Sequence, residues 1–167
     1  INNRKILSGF LEENKLEKQA NEIYSIVDHA EKVTPEQTKV SFEELGLEKP
    51  IVKTIVDFIN INGERSEVVS KLLNLNIKNE KFNEGINELE FVINNLGLMG
   101  IDSKYYEIDL TIARGLDYYT GTVYETRLVD YPSIGSVCSG GRYDDLSGFY
   151  TDKKLPGVGI SIGLTRL

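Results

Sequence analysis

The period of the apolar residues changes once along this chain, and the change falls at Gly100. Before it, apolar side chains recur every three or four residues, the spacing that gathers them on one side of a helix. After it they alternate with polar ones, as in a half-buried strand. A chain written this way commits to helices first and strands second, and so to an α+β fold with the two kinds of element in separate layers.

In the helical half, Asn3 to Glu13 reads as a short helix and Lys15 to Lys32 as a longer one, with Leu16, Ala20, Ile23, Tyr24, Val27 and Ala30 on one stripe. Thr34-Pro35-Glu36-Gln37 combines a capping hydroxyl, a proline at the first helical position and a glutamine three residues on, so a third helix is expected to Leu45, ended by Gly46. Lys49-Pro50 opens an apolar run from Ile51 to Ile61 that Asn62-Gly63 terminates, and Glu64 to Leu75 reads as a further helix. Phe82, Ile86, Leu89, Ile93 and Leu96 form the clearest stripe, with Gly97 expected to end it. No period recurs at repeat length.

In the strand half, Tyr106 to Ala113 sets apolar residues against Glu107, Asp109 and Thr111 and is expected to be a strand. Gly121 to Val129, Gly135 to Gly140 and Gly157 to Gly163 read as three more, joined by loops holding Pro132, Gly148 and Pro156. Hairpin-like succession favours an antiparallel sheet.

Composition narrows the class. A chain of 167 residues with 40% apolar content supports one core or slightly more. A net charge of −7 argues against broad attraction to nucleic acid, so any RNA contact has to be local. No stretch approaches the roughly 18 apolar residues of a membrane span, and no secretory leader opens the chain. Cys138 and His29, one of each, make neither an internal disulfide nor a zinc site, and a cytoplasmic location is expected. His29 reads as a packed or surface residue, Cys138 as a small core residue, and Tyr105 and Tyr106 as core or rim. The chain starts at Ile1 without methionine and stops at Leu167 in mid-pattern, so it reads as a piece of a longer protein.

The chemistry concentrates in three strings. Ala113-Arg-Gly-Leu-Asp-Tyr-Tyr-Thr-Gly-Thr-Val-Tyr-Glu125 places the always-charged Arg114 beside Tyr118, Tyr119 and Tyr124, which suits a small, flat, polar ligand carrying an anion. An isolated Arg-Gly-Leu-Asp turn is more often a hairpin whose arginine lies over its neighbours. In Gly135-Ser-Val-Cys-Ser-Gly-Gly-Arg-Tyr-Asp144, the pair Gly140 and Gly141 lets backbone approach a ligand and leaves Tyr143 to reach towards it, although such a string is also an ordinary turn. In Leu155-Pro-Gly-Val-Gly-Ile-Ser-Ile-Gly-Leu-Thr-Arg-Leu167, Gly157, Gly159 and Gly163 leave room for a planar base and Arg166 can pair with phosphates. That spacing fits neither a Walker loop nor a dinucleotide fingerprint.

The first string closely resembles the histidine-binding signature of the histidyl-tRNA synthetases, class II aminoacyl-tRNA synthetases, and the third resembles class II motif three. The resemblance is strong over Ile112 to Leu167 and only positional before it. It implies a histidine–tRNA ligase of translation that joins histidine to ATP, giving histidyl adenylate, and passes the histidyl group to tRNA(His). It divides the chain into a helix following motif two (1–13), a helical insertion domain that approaches the tRNA acceptor stem (14–100) and the C-terminal part of the catalytic antiparallel sheet (101–167).

By resemblance, Arg114 is catalytic and touches ATP, Tyr118, Tyr119, Tyr143, Gly140 and Gly141 bind histidine, and Gly163 and Arg166 bind ATP. Mg2+ is expected with ATP, with no ligand identifiable in this chain. The full-length protein is expected to be a homodimer; the piece by itself is expected to be inactive and monomeric. Many relatives carry glutamate where Thr165 stands, which puts that glutamate's role in question. The main competing reading is a regulatory subunit of ATP phosphoribosyltransferase, a histidine-sensing relative without catalysis; another is a helical RNA-contacting module.

Overall fold

The computed structural model describes residues 1–113 and 118–166, with Phe149 described by its backbone alone. The chain opens with a two-residue strand, β1 (Asn2–Asn3), which runs directly into α1 (Arg4–Glu13), where the Asn3 side chain caps the helix by accepting from the Lys5 backbone N–H at 3.0 Å. The stretch expected as one helix from Lys15 to Lys32 has α geometry only over α2 (Ala20–His29), with tighter 3₁₀ turns at Glu17–Gln19 and Ala30–Lys32. No side chain caps α2 at Gln19, and the chain enters it from Lys15 at φ 60, so the first turns tighten in place of a capped start.

The box expected at Thr34 is formed. The Gln37 N–H donates to Thr34 Oγ1 at 3.2 Å, the Thr34 N–H donates to Gln37 Oε1 at 2.9 Å, and α3 spans Pro35–Glu44. Then come α4 (Lys49–Ile59), α5 (Arg65–Leu73) and α6 (Glu80–Leu98). Helix α6 runs through Gly97 and does not end there, because the left-handed position that closes such a helix falls to Gly100, at φ +76.

Tyr106 to Ala113 is not a strand. A 3₁₀ turn at Ser103–Tyr105 leads into an irregular segment in which the Asp109 carboxylate accepts from the Thr111 N–H at 2.9 Å and its hydroxyl at 2.6 Å, curling the backbone. The buried Asn2 amide donates to the carbonyls of Leu110 and Ile112 at 3.3 and 3.1 Å, so a side chain satisfies groups that a neighbouring strand would have paired. The alternation still has a cause, since Ile108 and Leu110 point into the core.

The sheet is antiparallel in the order β1-β2-β3-β4, with β2 at Thr122–Arg127, β3 at Ser136–Tyr143 and β4 at Gly157–Ile162. Val123 faces Gly141, which faces Gly159, and the register slips at Thr126/Arg127. Helix α6 lies along α1 and against β1 and β2. The two helix backbones approach so closely that a Cβ on Gly9 would strike the backbone of Phe82, and one on Gly85 that of Ile6. One core runs from Ile6 and Phe10 through Ile23, Phe42, Ile55 and Leu72 to Ile86 and Leu110, with Phe10 and Phe58 stacked at 4.0 Å. Among the described residues no helix is long and apolar enough to cross a membrane.

Candidate active site

Successive residues of a strand point to opposite faces, so the register sorts the tyrosines. Gly141 and Gly159 stand on one face with Val123 and Tyr143. A Cβ on Gly141 would meet the Tyr119 ring at 2.8 Å, and one on Gly159 would meet the Tyr143 ring at 3.3 Å. Tyr143 also covers Gly157, its partner across the ladder. The glycines therefore form a floor that two phenol rings approach closely, because no side chain stands in the way. Tyr118 closes the group, tilted against Tyr119 at 4.6 Å and edge-on to Tyr143 at 5.9 Å between ring centroids.

Tyr124 does not belong to this wall. It pairs with Gly140 on the opposite face, where its hydroxyl donates to the Gly159 carbonyl at 3.0 Å. A Cβ on Gly140 would run into both the Tyr124 ring and that carbonyl. Gly140 thus passes a strut beneath the floor, while Gly141 carries the floor itself. The space over Gly157 and Gly159, which the sequence suggested for a nucleotide base, holds the Tyr143 ring. Further along, the exposed Arg166 lies over Gly163 and donates from Nη1 to the Ser136 carbonyl at 2.8 Å. Arg114, expected at the centre of the chemistry, lies outside the described residues.

Burial first, and the neighbouring Tyr118 phenol second, push the Tyr119 pKa up from 10.0 to about 12, so at neutral pH it is an uncharged group able to donate and to accept. Burial likewise raises Tyr124. Beside the tyrosines sits a cluster that sequence reasoning missed. Thr120 Oγ1 donates to Asp144 Oδ2 at 2.6 Å, and Arg142 Nε donates to Asp144 Oδ1 at 2.9 Å. The Thr120 bond, then Arg142, holds the Asp144 carboxyl below the usual carboxylate value against the opposing effect of burial. The available signal was adjacency alone, since Thr120 follows Tyr119 and Asp144 follows Tyr143.

Tyr119 and Thr120 also border an 800 Å³ groove between α1, α2 and the start of α6, where Arg4 stacks over the Tyr24 ring at 5.2 Å. The remaining residues singled out by sequence lie elsewhere. His29 is exposed, its Nδ1 2.8 Å from the Ser25 carbonyl, Cys138 is half-buried in β3, Tyr105 is exposed beneath Lys104, and Tyr106 lies under the Arg65 guanidinium. Among the described residues no three His, Cys, Asp or Glu side chains gather as a metal site.

The described residues thus build a helical region ahead of an antiparallel sheet whose glycines carry a cluster of tyrosines. Comparison with known proteins carries this further: the sequence model of the histidyl-tRNA synthetases matches residues 1–167, and the chain belongs to that family. The histidine–tRNA ligase of Clostridium tetani (strain Massachusetts / E88) is 54% identical over the whole chain, which spans 38% of that relative's length. The crystal structure of histidyl-tRNA synthetase from Nostoc sp. PCC 7120 superposes with a TM-score of 0.94 at 46% identity, covering 99% of this chain and 39% of that one. A structure from Bacillus halodurans C, described as an ATP phosphoribosyltransferase regulatory subunit/histidyl-tRNA synthetase, shares the fold at a TM-score of 0.75 and 21% identity, over 96% of this chain and 40% of its own.

Proposed function

We propose that the protein carrying this chain is a histidine–tRNA ligase, which activates histidine with ATP and transfers it to tRNA(His), and that residues 101–167 supply one side of its active site. The observation that carries this reading is the cluster of Tyr119 and Tyr143 about Tyr118, over Gly141 and Gly159, in a chain matched end to end by the synthetase family. An imidazole has a nitrogen that donates and one that accepts, and uncharged phenols that do both select it, because a wrong side chain leaves buried polar groups unpaired. Tyr119 and Tyr143 pair with the imidazole and Tyr118 lines its edge, while Gly141 seats the Tyr119 ring and Gly140 admits the Tyr124 strut behind it.

Arg114 acts on the reaction itself. It touches the histidine carboxylate and the ATP α-phosphate, holds two anions together for in-line attack and neutralises charge as it spreads. Gly163 and Arg166 contact ATP, with which Mg2+ is expected. The helical segment 14–100, between a short post-motif-two helix (1–13) and the sheet, is the insertion domain that meets the tRNA acceptor stem. The protein works as a cytoplasmic homodimer, whereas residues 1–167 alone are monomeric and inactive, holding only part of the site. The regulatory-subunit reading is disfavoured by the intact arginine-bearing string in the sequence and by the higher identity to the ligase relatives, 54% and 46% against 21%.

The test is histidine-dependent ATP–pyrophosphate exchange by the full-length protein. Arg114→Ala is expected to lower it about 10²- to 10³-fold while ATP binding persists. Wild-type exchange in that variant overturns the reading of Arg114, and no exchange by the unmodified protein overturns the ligase.

A further inference from the structure

Tyr119 and Tyr143 come from separate segments, one leading into β2 and the other ending β3. A clamp built from the residues beside them joins these two segments. The Thr120 N–H donates to the Arg142 carbonyl at 2.9 Å, and its hydroxyl donates to Asp144 Oδ2 at 2.6 Å. The other carboxylate oxygen, Oδ1, is held by Arg142 through Nε at 2.9 Å and through Nη2 at 2.8 Å. One carboxylate is thus bonded on one oxygen by the residue after Tyr119 and on the other by the residue before Tyr143. The next residue along, Gly121, accepts from the Arg4 N–H at 3.0 Å, so the Thr120 segment is anchored to the start of α1 as well.

We infer that Asp144, through Thr120 and Arg142, is a positioning residue that sets the spacing of Tyr119 and Tyr143, and hence the fit of the histidine side chain between them. This rests on the ligase reading. Asp144 touches no substrate in this account; it acts on the amino-acid pocket through the two tyrosines. A hydrogen bond to a charged group constrains more strongly than a neutral one and is short here, as such bonds are. The carboxylate also offers an acceptor to each segment at once, which a residue with a single acceptor cannot do. The ATP side of the site, around Gly163 and Arg166, shares none of these bonds.

The experiment is steady-state pyrophosphate exchange in the full-length enzyme with histidine and ATP varied separately. Asp144→Ala and the isosteric Thr120→Val are each expected to raise KM for histidine about tenfold, the scale of one charge-assisted hydrogen bond, with KM for ATP unchanged. Thr120→Ser, which keeps the hydroxyl, is expected to restore the wild-type value. The double variant is expected to be no worse than the more affected single one, because both remove the same bond. Thr120→Val decides the matter should Asp144→Ala fail to fold. A histidine KM unmoved in Thr120→Val, or histidine and ATP KM rising together, overturns the clamp. If the unmodified enzyme shows no histidine-dependent exchange, the ligase reading falls and the inference with it; an active enzyme with unmoved variants sinks the clamp alone.

Discussion

At the scale of single residues, neighbours in sequence are given different work by the sheet. Gly140 and Gly141 read alike in the sequence, as room for a ligand, yet one passes the Tyr124 strut and the other carries the Tyr119 ring. Tyr118, Tyr119 and Tyr124 also read alike, and the pleat removes Tyr124 to the far face. Residue types were therefore legible, but which of them share a surface was not, because that depends on the register of β2 against β3. Tyr119 offers a direct measurement. Its folded pKa is raised from 10.0 to about 12, chiefly by burial of a group whose charged form water would solvate. A raised pKa contributes stability that is fully present below the unfolded value and lost as pH rises through the folded one. Wild-type protein is thus expected to lose stability between pH 10 and about 12 more steeply than Tyr119→Phe, as followed by chemical denaturation across that range. Identical slopes would remove the buried-phenol account.

At the scale of elements, local signals succeeded where the backbone finds its partners nearby and failed where they come from afar. The Thr34 box is local, and it forms as the sequence implies. Thr34→Ala removes the acceptor for the Gln37 N–H and is expected to destabilise the protein by about 1 kcal/mol, seen as a lower denaturation midpoint with an unchanged slope. A midpoint within error of wild type would show that the exposed box contributes nothing. Asn2 and Asn3 carry no strand signal, and they form β1 because both buried side chains find partners far along the chain: the Leu110 and Ile112 carbonyls for Asn2, and Glu88 at 2.7 Å for Asn3. The same Asn2 amide takes over carbonyls of the 106–113 segment, so an alternating pattern that reads as a strand becomes an irregular edge. Gly97 misled for a simpler reason. A helix tolerates a glycine near its end, and the left-handed position that closes this one is Gly100.

At the scale of the whole molecule, the helices and the irregular 106–113 segment share one continuous interior, and β1 and β2 pack against it through α6. Leu89, fully buried on α6, belongs to a core that reaches from Ile6 to Leu110. Leu89→Ala is expected to cost about 2–5 kcal/mol, through lost apolar burial and the cavity left behind, and to lower helical and near-ultraviolet signals in a single transition. Two separated transitions would show that the helical segment and the sheet unfold independently. Arg127 ties the layers at the surface as well, where its guanidinium donates to both carboxylate oxygens of Glu31 at 2.7 and 2.6 Å. By itself the sequence determined the layer order, the positions of most helices and of strands β2 to β4, and the residue types of the site, because periodicity, capping and turn chemistry act over a few residues. Only the tertiary structure decided which tyrosines meet, what lies beneath each glycine, and that Thr120, Arg142 and Asp144 form one bonded cluster. Those depend on register and on contacts between residues far apart in the chain, which no local pattern encodes.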